Sequence, residues 1–247
     1  MISPKVVVLG LGEVGKPLFS ILSQQYPCIA IDIQPVELEQ PCSVMHVCYP
    51  FQIPDFVNVT VGYIRKYRPA LTIINSTIAP GTTRAIAEAS ATPVAYSPVR
   101  GKHVKMEKDM LFYKKFVGAD DPEVATKAEH HFAGAGFKTG RFKNSVTGEL
   151  SKLLETTWLG ILVGWAQEVE RIGGRYGATY DDLNAFINEI EFLPHHIFPG
   201  VIGGHCVMPN IAILRQQLRS DFLEAVIKSN EIKNQSEMQA AAAKGMK

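Results

Sequence analysis

The chain has 247 residues, enough for one large domain or two modest ones, each with its own core. Hydrophobic residues make up 46% and charged residues 20%, and a net charge of +1 offers no field for nucleic acid or an anionic membrane surface. No apolar run approaches the ~20 residues of a membrane span, and the apolar stretch after Lys5 is short and runs straight into a glycine turn, which argues against a signal peptide.

In chain order, the pattern predicts strands over 5–9 and 28–31 with a helix over 14–23 between them. A strand over 43–47, a helix over 57–67, a strand over 71–75 and a helix over 82–89 follow. Strands at 93–96 and 115–117, a helix over 122–134 and a short strand near 138–141 complete this half. Short apolar strands alternating with amphipathic helices imply the α/β class, with a Rossmann-type, doubly wound, mostly parallel sheet. The pattern then changes. Leu150, Leu153, Leu154, Trp158, Ile161, Leu162, Trp165 and Val169 recur at helical spacing over 147–175, and Gly173, Gly174 and Gly177 are expected to stop that helix. A helix over 180–190, a loop over 193–209 and helices over 211–218 and 221–238 close the chain. The expected domains are therefore an α/β unit over 1–143 and an all-helical unit over 144–235, with a frayed tail over 236–247.

The four cysteines, Cys28, Cys42, Cys48 and Cys206, follow neither a disulfide framework nor a zinc spacing, so reduced thiols and a cytoplasmic setting are expected.

The run Val6-Val7-Val8-Leu9-Gly10-Leu11-Gly12-Glu13-Val14-Gly15 reads as strand, glycine turn and helix start. Gly10 makes the tight turn, Gly12 lets the backbone approach a pyrophosphate, and Gly15 lets the helix pack on the strand. The helix N-terminus offers N–H groups to phosphates, with Glu13 and Val14 completing the turn. Asp32, 22 residues after Gly10 at a strand end, stands where an acid binds ribose hydroxyls, and its carboxylate would repel a 2′-phosphate. The motif thus implies NAD. Ser76-Thr77-Ile78-Ala79-Pro80-Gly81-Thr82-Thr83 follows another strand, at the end of the sheet where ligands lie. Thr77 could face the reacting centre there and Thr82 could cap the next helix.

Late in the chain, Gly203-Gly204-His205-Cys206 presents a thiol with little bulk before it. A hydride acceptor plus a nucleophilic sulfur suggests oxidation through a thiohemiacetal. A cysteine attacks as its thiolate, which a nearby cation or helix N-terminus favours; Lys152 is the candidate cation. Glu149, Lys152 and Thr156 are spaced i, i+3, i+7 on one helix face. From spacing alone, Glu149 and Lys152 read equally as a solvated ion pair worth ~0.3–0.5 kcal/mol, Cys206 as a buried structural residue, and His205 as a capping or packing residue.

Taken together, these segments, with Ser97-Pro98-Val99-Arg100 and Pro199-Gly200-Val201-Ile202 leading into Gly203, resemble the UDP-glucose/GDP-mannose dehydrogenase family, nearest its UDP-N-acetylmannosamine and UDP-N-acetylglucosamine branch. The resemblance covers roughly residues 4–235. It implies double oxidation of a sugar-nucleotide primary alcohol to a carboxylate with two NAD reduced. Cys206 would be the nucleophile, Lys152 would stabilise the oxyanion and Thr77 would help place water. Glu149, Thr156, Gly203, Gly204 and His205 would border the substrate. The helix over 147–175 would mediate homodimerisation, with Gly160 and Gly164 permitting close approach across the dimer or within the subunit. Three positions depart from the family pattern: Val99 replaces a glutamate, Thr156 an asparagine, and Asn210 the catalytic aspartate. Asn210 cannot act as a base, so thioester hydrolysis loses its usual carboxylates. The chain is also expected to lack the family's second α/β domain, leaving a sugar nucleotide or a smaller alcohol as the small-molecule substrate. Two alternatives remain: a degenerate NAD-binding sensor or scaffold, and a two-electron hydroxyacid-type dehydrogenase with Lys152 as general acid/base.

Overall fold

The computed structural model describes residues 5–34, 36–38, 41–101, 103–191, 193–194 and 197–245. The chain divides into two compact units, Met1–Lys152 and Leu153–Lys247.

The first unit is built on a five-stranded parallel sheet in the order β2-β1-β3-β4-β5. The strands are β1 (Val6–Leu9), β2 (Cys28–Ile31), β3 (Val44–Val47), β4 (Leu71–Ile74) and β5 (Val94–Tyr96). Alternate side chains of one strand feed opposite cores, as the two-residue period requires. Val6 and Val8 join one apolar cluster with Leu18, Ile21 and Leu22 of α1 (Gly15–Leu22) and Val124, Ala128 and Phe132 of α5 (Pro122–Gly134). Val7 and Leu9 join the other, with Phe56, Val61 and Ile64 of α2 (Phe56–Tyr67) and Ile86 of α3 (Thr82–Ser90). Helices on both faces make the sheet doubly wound. The strand order reverses between β1 and β3, so the crevice beyond their carboxyl ends is the topological switch point. Beyond β5, a parallel pair of β6 (Lys115–Val117) and β7 (Thr139–Arg141) is attached through an antiparallel bridge between Tyr96 and Gly118.

Two helix starts illustrate the local chemistry. Asp121 accepts the backbone N–H of Glu123 at 2.8 Å with Pro122 in the first turn, and Thr179 and Asp182 form a reciprocal capping box. One element escaped sequence reading: a 3₁₀ turn at His103–Lys105 and α4 (Met106–Phe112). With seven residues and two buried methionines, α4 is too short for its periodicity to register.

The second unit holds the end of α6 (Ser145–Arg175) with α7 (Tyr180–Asn188), α8 (Val207–Gln217) and α9 (Asp221–Gly245). Gly173 and Gly174 do not stop α6; they lie inside it, and Gly177 with φ +75° follows its end. A side chain at Gly173 would meet Leu183 and Ala178, so close packing explains that glycine better than chain reversal does. α8 begins at Val207, four residues before the expected start, because a helix's first turn has no N–H bonds for Pro209 to break. α9 runs to Gly245, past the expected end at 238; positions 246–247 of the expected tail, and 195–196 of the expected loop, lie outside the described residues. No helix among the described residues is long and apolar enough to cross a membrane.

Candidate functional site

The glycine turn follows β1 at the switch point. Gly10 adopts φ +87°, and a Cβ there would lie 2.8 Å from the Tyr49 backbone nitrogen. A Cβ on Gly15 would lie 1.7 Å from the Gly10 carbonyl oxygen, so only hydrogen fits where α1 starts. Gly12 differs: a Cβ there meets nothing within 4 Å, and the backbone at the mouth of the turn is open to a ligand. Glu13 is exposed, and Val14 stands immediately before the first residue of α1. Asp32 follows β2 and is exposed, one residue beyond the Ile31 carbonyl that accepts the Gly10 N–H at 2.8 Å. Turn, helix start and carboxylate stand along the carboxyl ends of β1 and β2, an arrangement that fits a dinucleotide.

The segment after β4 is held from below. The Ser76 hydroxyl donates to the Tyr49 carbonyl at 2.6 Å, and half-buried Thr77 follows it. Thr82 does not cap α3; its hydroxyl donates back to the Ala79 carbonyl at 2.7 Å. The cap comes from α6. The Glu149 carboxylate accepts the Gly81 N–H at 2.6 Å, the Thr83 N–H at 2.8 Å and the Thr83 hydroxyl at 2.6 Å. Glu149 is fully buried, so it is not half of a solvated ion pair; the orphan donors of α3 hold it. Burial pushes its carboxyl above the usual range, against the hydrogen bonds from Thr83 and Gly81. Lys152, one turn further along α6, is half-buried. Val99 is buried in the apolar core.

Beneath these loops lies a buried polar cluster that the sequence reading missed. Lys115 is 3% exposed, and its Nζ donates to Asn75 Oδ1 at 3.1 Å and to the carbonyls of Ser97 and Pro98 at 2.7 and 3.1 Å. Asn75 Nδ2 lies 3.2 Å from Nδ1 of fully buried His46, whose Nε2 lies 2.9 Å from His131 Nε2. The available signal was His46 inside the otherwise apolar strand β3; Lys115, the first residue of β6, gave none.

In the second unit, Cys206 is exposed and immediately precedes α8, at the positive end of that helix. None of the four cysteines is in a disulfide, and the other three are buried or half-buried, their thiols pushed up to about 11 for Cys28 and Cys42 and about 12 for Cys48. Gly203 and Gly204 have nothing within 4 Å of an added Cβ, Gly204 adopts φ +75°, and His205 is exposed. The loop is tethered just upstream. Asn230 accepts the Ile202 N–H at 2.7 Å and donates to its carbonyl at 3.1 Å, while Gln167 donates to the Gly200 carbonyl at 2.7 Å. Neither tether was legible from spacing. Asn210 and Thr156 are both buried and bonded to each other, Asn210 Nδ2 donating to Thr156 Oγ1 at 3.0 Å. Gly160 is covered within the unit by Val207, Ile211 and Val226, and Gly164 by Val226.

No family model matches the sequence. The UDP-N-acetyl-D-mannosamine dehydrogenase of Pyrococcus horikoshii is 29% identical over 168 residues, spanning 63% of this chain and 40% of that protein. The sequence is similar to part of curated UDP-N-acetyl-D-mannosamine dehydrogenases. It spans 40–60% of the length of the curated relatives it matches. The structure of the UDP-D-ManNAc dehydrogenase from Pyrococcus horikoshii superposes with a TM-score of 0.82 at 20% identity, covering 96% of this chain and 70% of that one. The 3-hydroxyisobutyrate dehydrogenase of Mycobacterium tuberculosis superposes at 0.70 and 14% identity, covering 95% of this chain and 94% of that one. Both superpositions concern the fold.

Proposed function

We propose that the chain is an NAD-dependent dehydrogenase oxidising a primary alcohol, of a sugar nucleotide or a smaller molecule. The observation that carries this reading is the glycine turn at the switch point, closed to side chains at Gly10 and Gly15 and open at Gly12, with Asp32 exposed at the end of the neighbouring strand. Gly10, Gly12, Glu13, Val14 and Gly15 would hold the pyrophosphate, Asp32 the adenosine ribose, and Thr77 the nicotinamide side. NAD, when bound, supplies the hydride acceptor.

The chain's own groups would do the rest. After the alcohol has lost a first hydride and its hydroxyl proton to become an aldehyde, the Cys206 sulfur would add to the carbonyl carbon, giving a thiohemiacetal, while the Lys152 ammonium stabilises the developing oxyanion, an effect worth ~3–4 kcal/mol in comparable sites. Once that adduct has lost hydride and proton, water cleaves the thioester to carboxylate and thiol. Asn210 and Thr156 offer no base for that step, so hydrolysis would be slow relative to oxidation. Gly203, Gly204 and His205 would leave room for substrate at the sulfur. Glu149 acts by fixing the Gly81–Thr83 turn beside Thr77. We further propose a homodimer through α6, supported by Trp158 and Trp165, which are 56% and 61% exposed on it. Gly160 and Gly164 are not part of that argument, since residues of the same unit occupy the space beside them.

Incubation with NAD and a panel of sugar nucleotides, sugars and hydroxy acids is expected to give NADH absorbance with at least one of them; silence across the panel sinks the reading. A second reading is favoured by the near-complete coverage of the 3-hydroxyisobutyrate dehydrogenase fold. There Lys152 is the general acid/base of a two-electron oxidation and Cys206 takes no part.

A further inference from the structure

We propose that Lys115 is a positioning residue of the candidate site, its buried ammonium fixing the loop after β4 and the loop after β5 in register with each other. The inference rests on the reading that this end of the sheet holds the cofactor, and it adds a residue to which no role has been assigned.

The geometry uses every donor. An ammonium has three N–H groups, and Lys115 Nζ has three oxygen acceptors at hydrogen-bonding distance: one on Asn75, which follows β4, and two on Ser97 and Pro98, which follow β5. Asn75 leads directly into Ser76-Thr77, so one nitrogen ties the backbone after β5 to a residue two positions before Thr77. A neutral amine has two N–H groups and a lone pair, and would release one acceptor.

The rest of the chain fixes the direction of the network. Asn75 must turn Oδ1 toward the lysine, so its Nδ2 faces His46 Nδ1, which must accept. His46 Nε2 then carries the proton and donates to His131 Nε2. Both histidines must stay neutral, and burial holds His46 well below its usual range. The groups facing the ammonium are His46 of β3 and Cys48 just after it, the Phe132 ring of α5 at 5.0 Å, Arg100 from the loop after β5, and Lys152 from α6. Burial, with Lys152 and Arg100 adding like charge and Cys48 opposing them, brings Lys115 down to about 7. Raising the pH through that range would take the third N–H from the ammonium and with it one tether.

The test is hydrogen exchange by mass spectrometry, corrected for intrinsic rates, on the ligand-free protein and on Lys115→Arg and Lys115→Met, at about pH 6 and about pH 8.5. In the wild type, protection over 75–83 and 97–101 is expected to fall about ten-fold between the two pH values while α2 stays constant. Lys115→Met should show the low protection at both pH values, and Lys115→Arg, which keeps its charge, should show none of the pH dependence. Equal protection in wild type and Lys115→Met, or a loss spread evenly through the sheet, overturns the proposal. If Lys115→Met fails to fold, the wild-type pH series decides, and a flat profile overturns it. NAD titration by calorimetry on the same samples separates the two levels. No binding by the wild type would end the cofactor reading and leave the exchange result standing, whereas binding that is indifferent to Lys115 would end the positioning role.

Discussion

The two units solve the same problem, presenting polar groups, in opposite ways. In the α/β unit the important polar groups are buried and completed by the protein itself: Glu149 takes three donors from the start of α3, and Lys115 gives three to the loops after β4 and β5. In the helical unit, Gly203, Gly204, His205 and Cys206 are exposed, α7 buries no residue, and Trp158, Trp165, Phe186 and Phe222 all lie more than half outside. The first unit is preorganised, and substitutions there should register as lost stability. The second displays the proposed nucleophile, and substitutions there should register mainly as lost chemistry.

The sharpest break of that contrast lies within a single turn. Gly15→Ala forces a methyl into the Gly10 carbonyl and should destabilise the α/β unit by about 4 kcal/mol or more, whereas Gly12→Ala should change stability by less than ~0.5 kcal/mol while weakening NAD binding. Urea unfolding followed by circular dichroism, with NAD titration of the folded variant, measures both. Equal effects of the two substitutions would mean that the turn is not shaped for a ligand.

Acid gives the next largest effect. Burial lowers His131 from 6.5 to about 4 and His46 well below 6.5. As pH falls through this window the unfolded chain takes up protons that the folded chain refuses, so stability present above pH 6.5 is lost on acidification. His131 alone accounts for about 2–3 kcal/mol between pH 7 and 4. Melting monitored across that range should fall steeply, and replacing both histidines with glutamine should flatten the profile. The helical unit has no buried histidine among its described residues to act in this way.

Glu149→Gln follows, at about 2 kcal/mol, because an amide places an N–H against donors that need an acceptor. Hydrogen exchange at the start of α3 should report the loss locally. A change of under ~0.5 kcal/mol would return Glu149 to the surface role that its spacing with Lys152 allows.

Much of the fold was legible because its signals are periodic or obligatory. The strand over 28–31, the strand over 115–117 and the helix over 122–134 have the bounds expected from their apolar patterns. Gly10 and Gly15 announced a turn that tolerates no Cβ. What stayed hidden is pairing at long range. Glu149 and Gly81 are 68 residues apart, Lys115 and Asn75 are 40 apart, and Asn230 and Ile202 are 28 apart. No local pattern distinguishes a lysine that will be buried under three carbonyl-type oxygens from one that will be solvated. The start of α8 was misplaced for a related reason: Pro209 reads as a breaker until the helix is seen to begin at Val207, where a missing N–H costs nothing.

The smallest expected change in stability carries the largest consequence for chemistry. Cys206 is exposed, and serine is a favoured residue at a helix boundary, so Cys206→Ser should leave stability within ~0.5 kcal/mol of the wild type. A serine hydroxyl does not form an anion at neutral pH as a thiol can, so the adduct route closes. If the oxidation passes through a thioester, the variant should yield no carboxylate while still binding NAD, which product analysis by mass spectrometry can follow beside the calorimetric titration. If the variant turns over as fast as the wild type, the sulfur is a bystander. Lys152 then becomes the residue to replace, and the reaction is a two-electron oxidation whose product keeps its carbonyl.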